Sequence, residues 1–299
     1  MNRAVFSVPV LALCWGLNWP AVKIALAEVA PWTLRTIGLG SGALVLFAFA
    51  IVRGRSLAVP RGQRLPLALA GLLTVAAFNV LVAFAQLSGS TSRAAIVTFS
   101  MPVWAILLAW PLLGERPDAR RSVSLALGVA GLALLGAPLA RAQGVPAGVW
   151  FALAAGACWA AGTIVTKRWP VAASPITVAA WQLLVGALAA GVGMLWFEGV
   201  PVPKRLSTDA MLALAFHIVL AQALAYFLWF EVISRLPAGI AALGTLLVPV
   251  VGVSGAMTLL GERPSGFDLA GFVLITAAAA LALLPRRRIR PRPPARRPA

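Results

Sequence analysis

The sequence predicts an all-α polytopic membrane protein whose ten transmembrane helices form two inverted five-helix repeats. Three observations carry that expectation. Hydrophobic residues fill 61% of the 299 positions and charged residues only 11%, too few polar groups to cover a water-exposed surface. Apolar runs of about 20 residues, the length that crosses a hydrocarbon core, recur at 4–27, 32–52, 65–88, 91–113, 122–139, 147–169, 175–197, 209–234, 237–260 and 267–284. The tetrapeptide Gly114-Glu115-Arg116-Pro117 returns as Gly261-Glu262-Arg263-Pro264, each copy closing an apolar run that contains a proline. The runs are rich in Leu, Ala and Val without polar alternation, which selects helices over membrane strands.

Shifting the second half back by 147 positions superposes Thr245, Pro249 and the second tetrapeptide on Thr98, Pro102 and the first. A shift of 144 aligns Cys158-Trp159 with Cys14-Trp15, Lys167 with Lys23, Pro175 with Pro31, and Gly186-Ala187-Leu188 with Gly42-Ala43-Leu44. Collinear matches of Trp, Pro and Lys are the mark of duplication with one altered loop. The expected division is 1–142 for the first repeat, 143–285 for the second and 286–299 for a basic tail. Five spans per repeat is an odd number, so the second repeat enters the bilayer upside down, an architecture that recurs in secondary transporters.

With both termini on one side, that side collects eighteen of the 25 Lys and Arg residues, which places the termini in the cytoplasm of an inner (plasma) membrane. The tail, with Arg286 to Arg297 interrupted by prolines, reads as a disordered segment attracted to anionic lipid. The net charge of +17 lies beside apolar runs, so it points to the bilayer and not to nucleic acid. Residues 3–27 resemble a cleavable signal with an Ala25-Leu26-Ala27 site, but their Cys-Trp and Lys recur in the internal sixth run, which favours a retained first helix. Cys14 and Cys158 lie mid-span as buried free thiols without metal-binding spacing.

The eight carboxylates, Glu28, Glu115, Asp118, Glu198, Asp209, Glu231, Glu262 and Asp268, all fall in loops or near helix ends. No catalytic cluster, phosphate-binding loop or acidic metal-binding group is present, so neither enzyme, metal nor cofactor is expected. Inside the runs the polar groups are neutral: Asn18 three residues after Trp15, Asn79 and Gln86 on one face of the third helix, Trp159 and Thr163 on one face of the sixth, Gln222 and Tyr226 on the eighth. Such groups are costly in hydrocarbon without partners. Either they join helices through hydrogen bonds or they line a wet cavity. Trp32, Trp110, Trp150, Trp169 and Trp196 stand at span ends, where interfacial anchoring is favoured. Pro102 and Pro249 each remove a hydrogen bond to the residue four back, Thr98 and Thr245, so mid-membrane kinks are expected there. Their equivalent placement points to paired hinges at a central site.

The Cys-Trp-Gly-x-Asn-Trp opening (Cys14 to Trp19), the prolines of the fourth and ninth helices and the Gly-Glu closing motifs resemble the ten-helix EamA-type branch of the drug/metabolite transporter superfamily. Within it, the aromatic-rich middle is similar to YddG-type exporters of aromatic amino acids. The resemblance implies a central cavity of helices one, three, four, six, eight and nine, with substrate-binding residues Trp15, Asn18, Phe78, Asn79, Gln86, Thr98, Phe99, Trp159, Thr163, Gln222, Tyr226 and Thr245. It implies a small-molecule substrate, amino acids and related metabolites, exported by alternating access. The membrane-embedded Glu that four-helix members carry in helix one is missing, so uncoupled movement is expected, with His217 and Glu231 as the candidate coupling groups should protons be used. Efflux of lipophilic cations and a non-transporting scaffold or receptor are the alternative readings.

Overall fold

The computed structural model describes residues 4–114, 118–142, 145–201, 205–226, 228 and 247–283, and among these it is helical throughout, with no strand. The elements are α1 (Ala4–Leu26), α2 (Pro31–Val52), α3 (Arg64–Gly71, Leu72–Ala77 and Phe78–Leu87 in succession), α4 (Thr91–Thr98 and Met101–Leu113), α5 (Ala119–Ala142) and α6 (Ala147–Arg168). They continue with α7 (Pro175–Gly193, then Met194–Glu198), α8 (Thr208–Phe216, then His217–Leu224), α9 (Leu247–Leu259) and α10 (Gly266–Leu283). By length and composition six of the described helices can cross a membrane, and four shorter apolar helices, Ser122–Leu135, Thr208–Leu224, Leu247–Leu259 and Gly266–Leu281, accompany them. Large apolar side chains face outward along their flanks, Leu44 at 71% and Val192 at 68% exposure among them, as suits a lipid solvent.

Local chemistry sets the helix ends. Pro31 and Pro175 occupy first-turn positions of α2 and α7, where the missing N–H has no intrahelical acceptor to lose. Ser90, Ser174 and Ser207 cap α4, α7 and α8 by accepting from the amides of Arg93, Thr177 and Ala210. Gly114 and Gly261, 147 positions apart, both leave their helices with left-handed φ of 69° and 68°, the conformation in which glycine is favoured.

Other ends are closed by carboxylates distant in sequence. Glu198, at the end of α7, accepts from the amides of Trp32 and Thr33 at 2.8 Å each and from Thr33 Oγ1 at 2.7 Å. At the opposite end of the same pair, Thr177 Oγ1 and Trp181 Nε1 donate to the carbonyls of Ser56 and Leu57 just beyond α2. α2 and α7 are therefore antiparallel and pinned at both ends. Glu28 accepts from Ser207 N (2.9 Å) and from its hydroxyl at the start of α8.

Two flanking pairs, α2 with α7 and α5 with α10, sit beside a middle in which α1 packs on α8 and α9, and α6 on α3 and α4. Glycine permits the closest crossings. A Cβ at Gly131 would lie 3.0 Å from the Gly271 carbonyl and one at Gly271 3.0 Å from the Gly131 carbonyl, so α5 and α10 touch backbone to backbone. A Cβ at Gly16 would stand 2.4 Å from Val251 where α1 crosses α9.

The α4 kink expected at Pro102 is a break. The first half ends at Thr98, Phe99 and Ser100 form a turn, and Pro102 falls in the first turn of the second half. Proline is pre-organised for a helix start and cannot donate within one, so the chain restarts the helix there. Pro249 is buried near the start of α9 as described. Glu115 to Pro117, Glu231, Thr245 and the 286–299 tail lie outside the described residues. Of the tryptophans expected at the interface, Trp110, Trp150, Trp169 and Trp196 are exposed. Trp32 is half-buried at the start of α2, stacked 5.5 Å from the exposed Phe197 and against the bare backbone of Gly193.

Candidate functional site

Two aromatic pairs come together in the middle of the bundle. Trp15 on α1 meets Tyr226, which follows the described turns of α8, edge to face with centroids 5.6 Å apart, and the indole donates to the Ala221 carbonyl at 3.1 Å. Phe78 on α3 meets Trp159 on α6 in the same T-shaped manner at 4.7 Å. Trp15 and Trp159 are 144 residues apart, so each half contributes one tryptophan and receives one ring from the other.

Around them lies a set of neutral polar groups with unspent hydrogen-bonding capacity. Gln86 is fully buried on α3, its Nε2 donating to the Trp19 carbonyl at 2.8 Å while Oε1 has no partner. Asn18 Oδ1 lies 2.7 Å from His217 Nδ1, tying α1 to α8. Gln222 is buried on α8 with Oε1 unpartnered. At the α4 break Thr98 Oγ1, Ser100 Oγ and Trp104 Nε1 are all buried without partners. The same three residues meet the bare face of Gly156 in α6, where a Cβ would lie 3.1 Å from the Thr98 carbonyl, 3.3 Å from the Trp104 ring and 3.4 Å from Ser100 Oγ. Phe99 packs beside this point, in the apolar cluster that includes Trp19 and Ile96.

Not every residue named from the sequence joins in. Asn79 donates to Val75 on its own helix at 2.9 Å, and Thr163 is exposed, its hydroxyl donating to the Trp159 carbonyl at 2.9 Å. Thr245 and Glu231 lie outside the described residues. Sequence reasoning passed over Ser100 and Trp104, for which only the nearby proline gave a signal, and Arg35 entered it only as one of the seven Lys and Arg residues assigned to the side opposite the termini. In the structure Arg35 is 2% exposed on α2.

Among the described residues the partnered carboxylates sit at helix ends. Glu28, Glu198 and Glu262 bind helix-start amides, and Asp268 holds Arg93 in a two-pronged pair at 2.9 and 3.0 Å. Lys23 donates to the carbonyls of Gln86 and Gly89 at the end of α3. Among the described residues no three His, Cys, Asp or Glu side chains gather as a metal site would require. Neutral acceptors, hydroxyls and ring faces can bind and release a small polar molecule.

The sequence profile of the EamA-like transporter family matches this chain twice, over residues 2–137 and 146–284. The chain belongs to that family. Through it this EamA-type protein is a member of the drug/metabolite transporter superfamily, a membrane transporter and not an enzyme. It is 26% identical to the "uncharacterized transporter YvbV" of Bacillus subtilis over 94% of this chain and 91% of that one. It is 27% identical to a "probable amino-acid metabolite efflux pump" of Salmonella typhimurium over 91% and 92%. A crystal structure at 23% identity superposes with a TM-score of 0.65, covering 94% of this chain and 96% of the other, which establishes a shared fold for the EamA-type chain.

Proposed function

We propose that this EamA-type protein exports amino acids, aromatic ones included, and related small metabolites across the inner membrane by alternating access, without coupling to protons. The observation that carries the reading is the bundle middle: paired aromatic faces beside unpartnered neutral atoms at Gln86, Gln222, Thr98 and Ser100, with the described carboxylates engaged at helix ends. Ring faces accept an apolar or aromatic side chain, while amides and hydroxyls receive the charged backbone ends of an amino acid. The Salmonella relative's name points the same way.

Ten spans, five in each of two inverted repeats, fit the double family match and the recurrence of paired contacts at offsets of 144 and 147. Both termini lie in the cytoplasm on this reading, and the basic tail meets anionic lipid there. Pro102 and Pro249 act as the hinges.

Proteoliposomes containing only this protein test the function. Labelled tryptophan or threonine is expected to exchange across the membrane and a permanent lipophilic cation is not. An imposed pH difference with equal amino acid on both sides is expected to give no net accumulation. Uphill movement that collapses with a protonophore would overturn uncoupled transport, and its loss in His217→Ala or Glu231→Gln would name the coupling group. The repeat topology has its own check. Single cysteines at Arg116 and Arg263, in a chain lacking Cys14 and Cys158, are expected to react with an impermeant thiol reagent from opposite sides, and equal accessibility would sink the inversion.

A further inference from the structure

Arg35 sits one turn into α2, and its guanidinium has neither a hydrogen-bond partner for the buried Nε nor a carboxylate within ion-pair distance among the described residues. A permanent charge enclosed without a counter-ion is among the costliest features a protein interior can carry. Its surroundings are also unsatisfied. One turn along α2 the backbone of Gly38 lies so close to α8 that a Cβ would stand 2.2 Å from His217 Nε2. As the Asn18 amide is oriented, its oxygen accepts from His217 Nδ1, which leaves Nε2 as a bare acceptor with no donor. One turn further, Gly42 meets Gln222, whose Oε1 is likewise without a donor.

The π-helical turn His217–Leu224 is what brings His217 and Gln222, five residues apart, onto the same neighbour. An α-helix would turn them well away from each other, and such wider turns concentrate at functional sites. The interface is built twice in this chain. At offsets of 144 and 147 the contact of Gly42 with Gln222 corresponds to that of Gly186 with Val75, which lies in another π-helical turn, Leu72–Ala77. There the positions matching Arg35 and His217 are Ala179 and Ala70, so the same helix packing is achieved without any charge. Packing alone therefore gives no reason for a guanidinium at position 35.

We propose that Arg35 is the anchor for a ligand carboxylate bound where α2 meets α8. The ligand class is a small molecule with a free carboxylate, an α-amino acid on the exporter reading. Arg35 supplies a fixed planar fork for the carboxylate. Naming the substrate's carboxylate as the occupant rests on the exporter reading above, whereas the anion-binding role of Arg35 stands independently of transport.

Thermal melting of the purified full-length protein in detergent separates the two. L-alanine and sodium acetate are expected to raise the melting temperature by about 2 °C or more at saturation, and L-alaninamide, which lacks the carboxylate, is not. In Arg35→Gln both increments vanish while the ligand-free protein melts at or above the wild-type temperature, because an unpaired charge has left the interior. Arg35→Lys retains part of the increment. The proposal is overturned if alanine and alaninamide stabilise equally, if the increments survive Arg35→Gln, or if ligand-free Arg35→Gln melts below wild type. Wild-type amino-acid flux that is indifferent to the carboxylate removes only this proposal. Carboxylate-dependent melting without any amino-acid flux keeps the Arg35 site and removes the exporter reading.

Discussion

Glu262→Ala is expected to lower the stability of the folded protein by about 3 kcal/mol, the net worth of a pair of hydrogen bonds to a charged acceptor. The reason lies in the amides of the α4 start. A helix begins with four amides that have no intrahelical acceptor. Here Thr91 and Ser92 donate to Glu262 Oε1 and Oε2 at 2.6 and 2.8 Å and Arg93 donates to Ser90 Oγ, while Ala94 makes the first helical bond, to the Ser90 carbonyl. Thr91 and Ser92 are buried, so water does not replace the lost carboxylate and two amides are left unpaired. The negative charge also opposes the positive end of the helix dipole. Glu262→Gln keeps one acceptor oxygen and loses the charge, so roughly half the loss is expected. Thermal melting in detergent measures both, and a Glu262→Ala protein that melts with wild type would show that the α4 start is held by Ser90 and by the Arg93–Asp268 pair alone.

That result would assign a task to the Gly-Glu portion of the repeated tetrapeptide, which the sequence showed to be special without showing why. The glycine of the motif was legible, because a residue closing an apolar run and followed by charge is where a left-handed φ is needed. The glutamate's partner was not. Thr91 lies 171 residues away, and no local spacing rule connects a loop carboxylate to the start of a distant helix. Glu198 and Trp32 present the same difficulty across 166 residues.

Helix positions were legible to within a few residues wherever the run was apolar and bounded by Pro, Ser or Gly, as at Pro31, Pro175 and Gly114. Which way a polar residue faces was only partly legible. Gln86 and Asn18 reach other helices as their cost in hydrocarbon demands, but Asn79 satisfies itself on the Val75 carbonyl, in the π-helical turn just before it on the same helix. Arg35 escaped notice because a count of charges by membrane side carries no azimuth, and burial is decided by which helix packs across it.

Pro102→Ala is expected to slow transport by about tenfold, which is about 1.4 kcal/mol on the rate-limiting barrier, while leaving the melting temperature unchanged or raised. Alanine restores an N–H at position 102 that can donate to the Thr98 carbonyl, so the turn at Phe99 and Ser100 can close into continuous helix. Continuity would straighten α4 where the Thr98 carbonyl, the Trp104 ring and Ser100 Oγ meet the bare face of Gly156, and where Thr98 Oγ1, Ser100 Oγ and Trp104 Nε1 are buried without partners. The unpartnered atoms gathered there mark a place where the bundle has been left adaptable, since a purely structural bend would be expected to satisfy its own polar groups. A stabilised helix with slower exchange is what a hinge predicts, because the break matters for moving between states and not for holding one. Wild-type flux in Pro102→Ala, measured beside its melting curve, would return the proline to shaping the bundle. A variant that instead loses folded protein would mean that the turn itself is needed to pack α4 against α6.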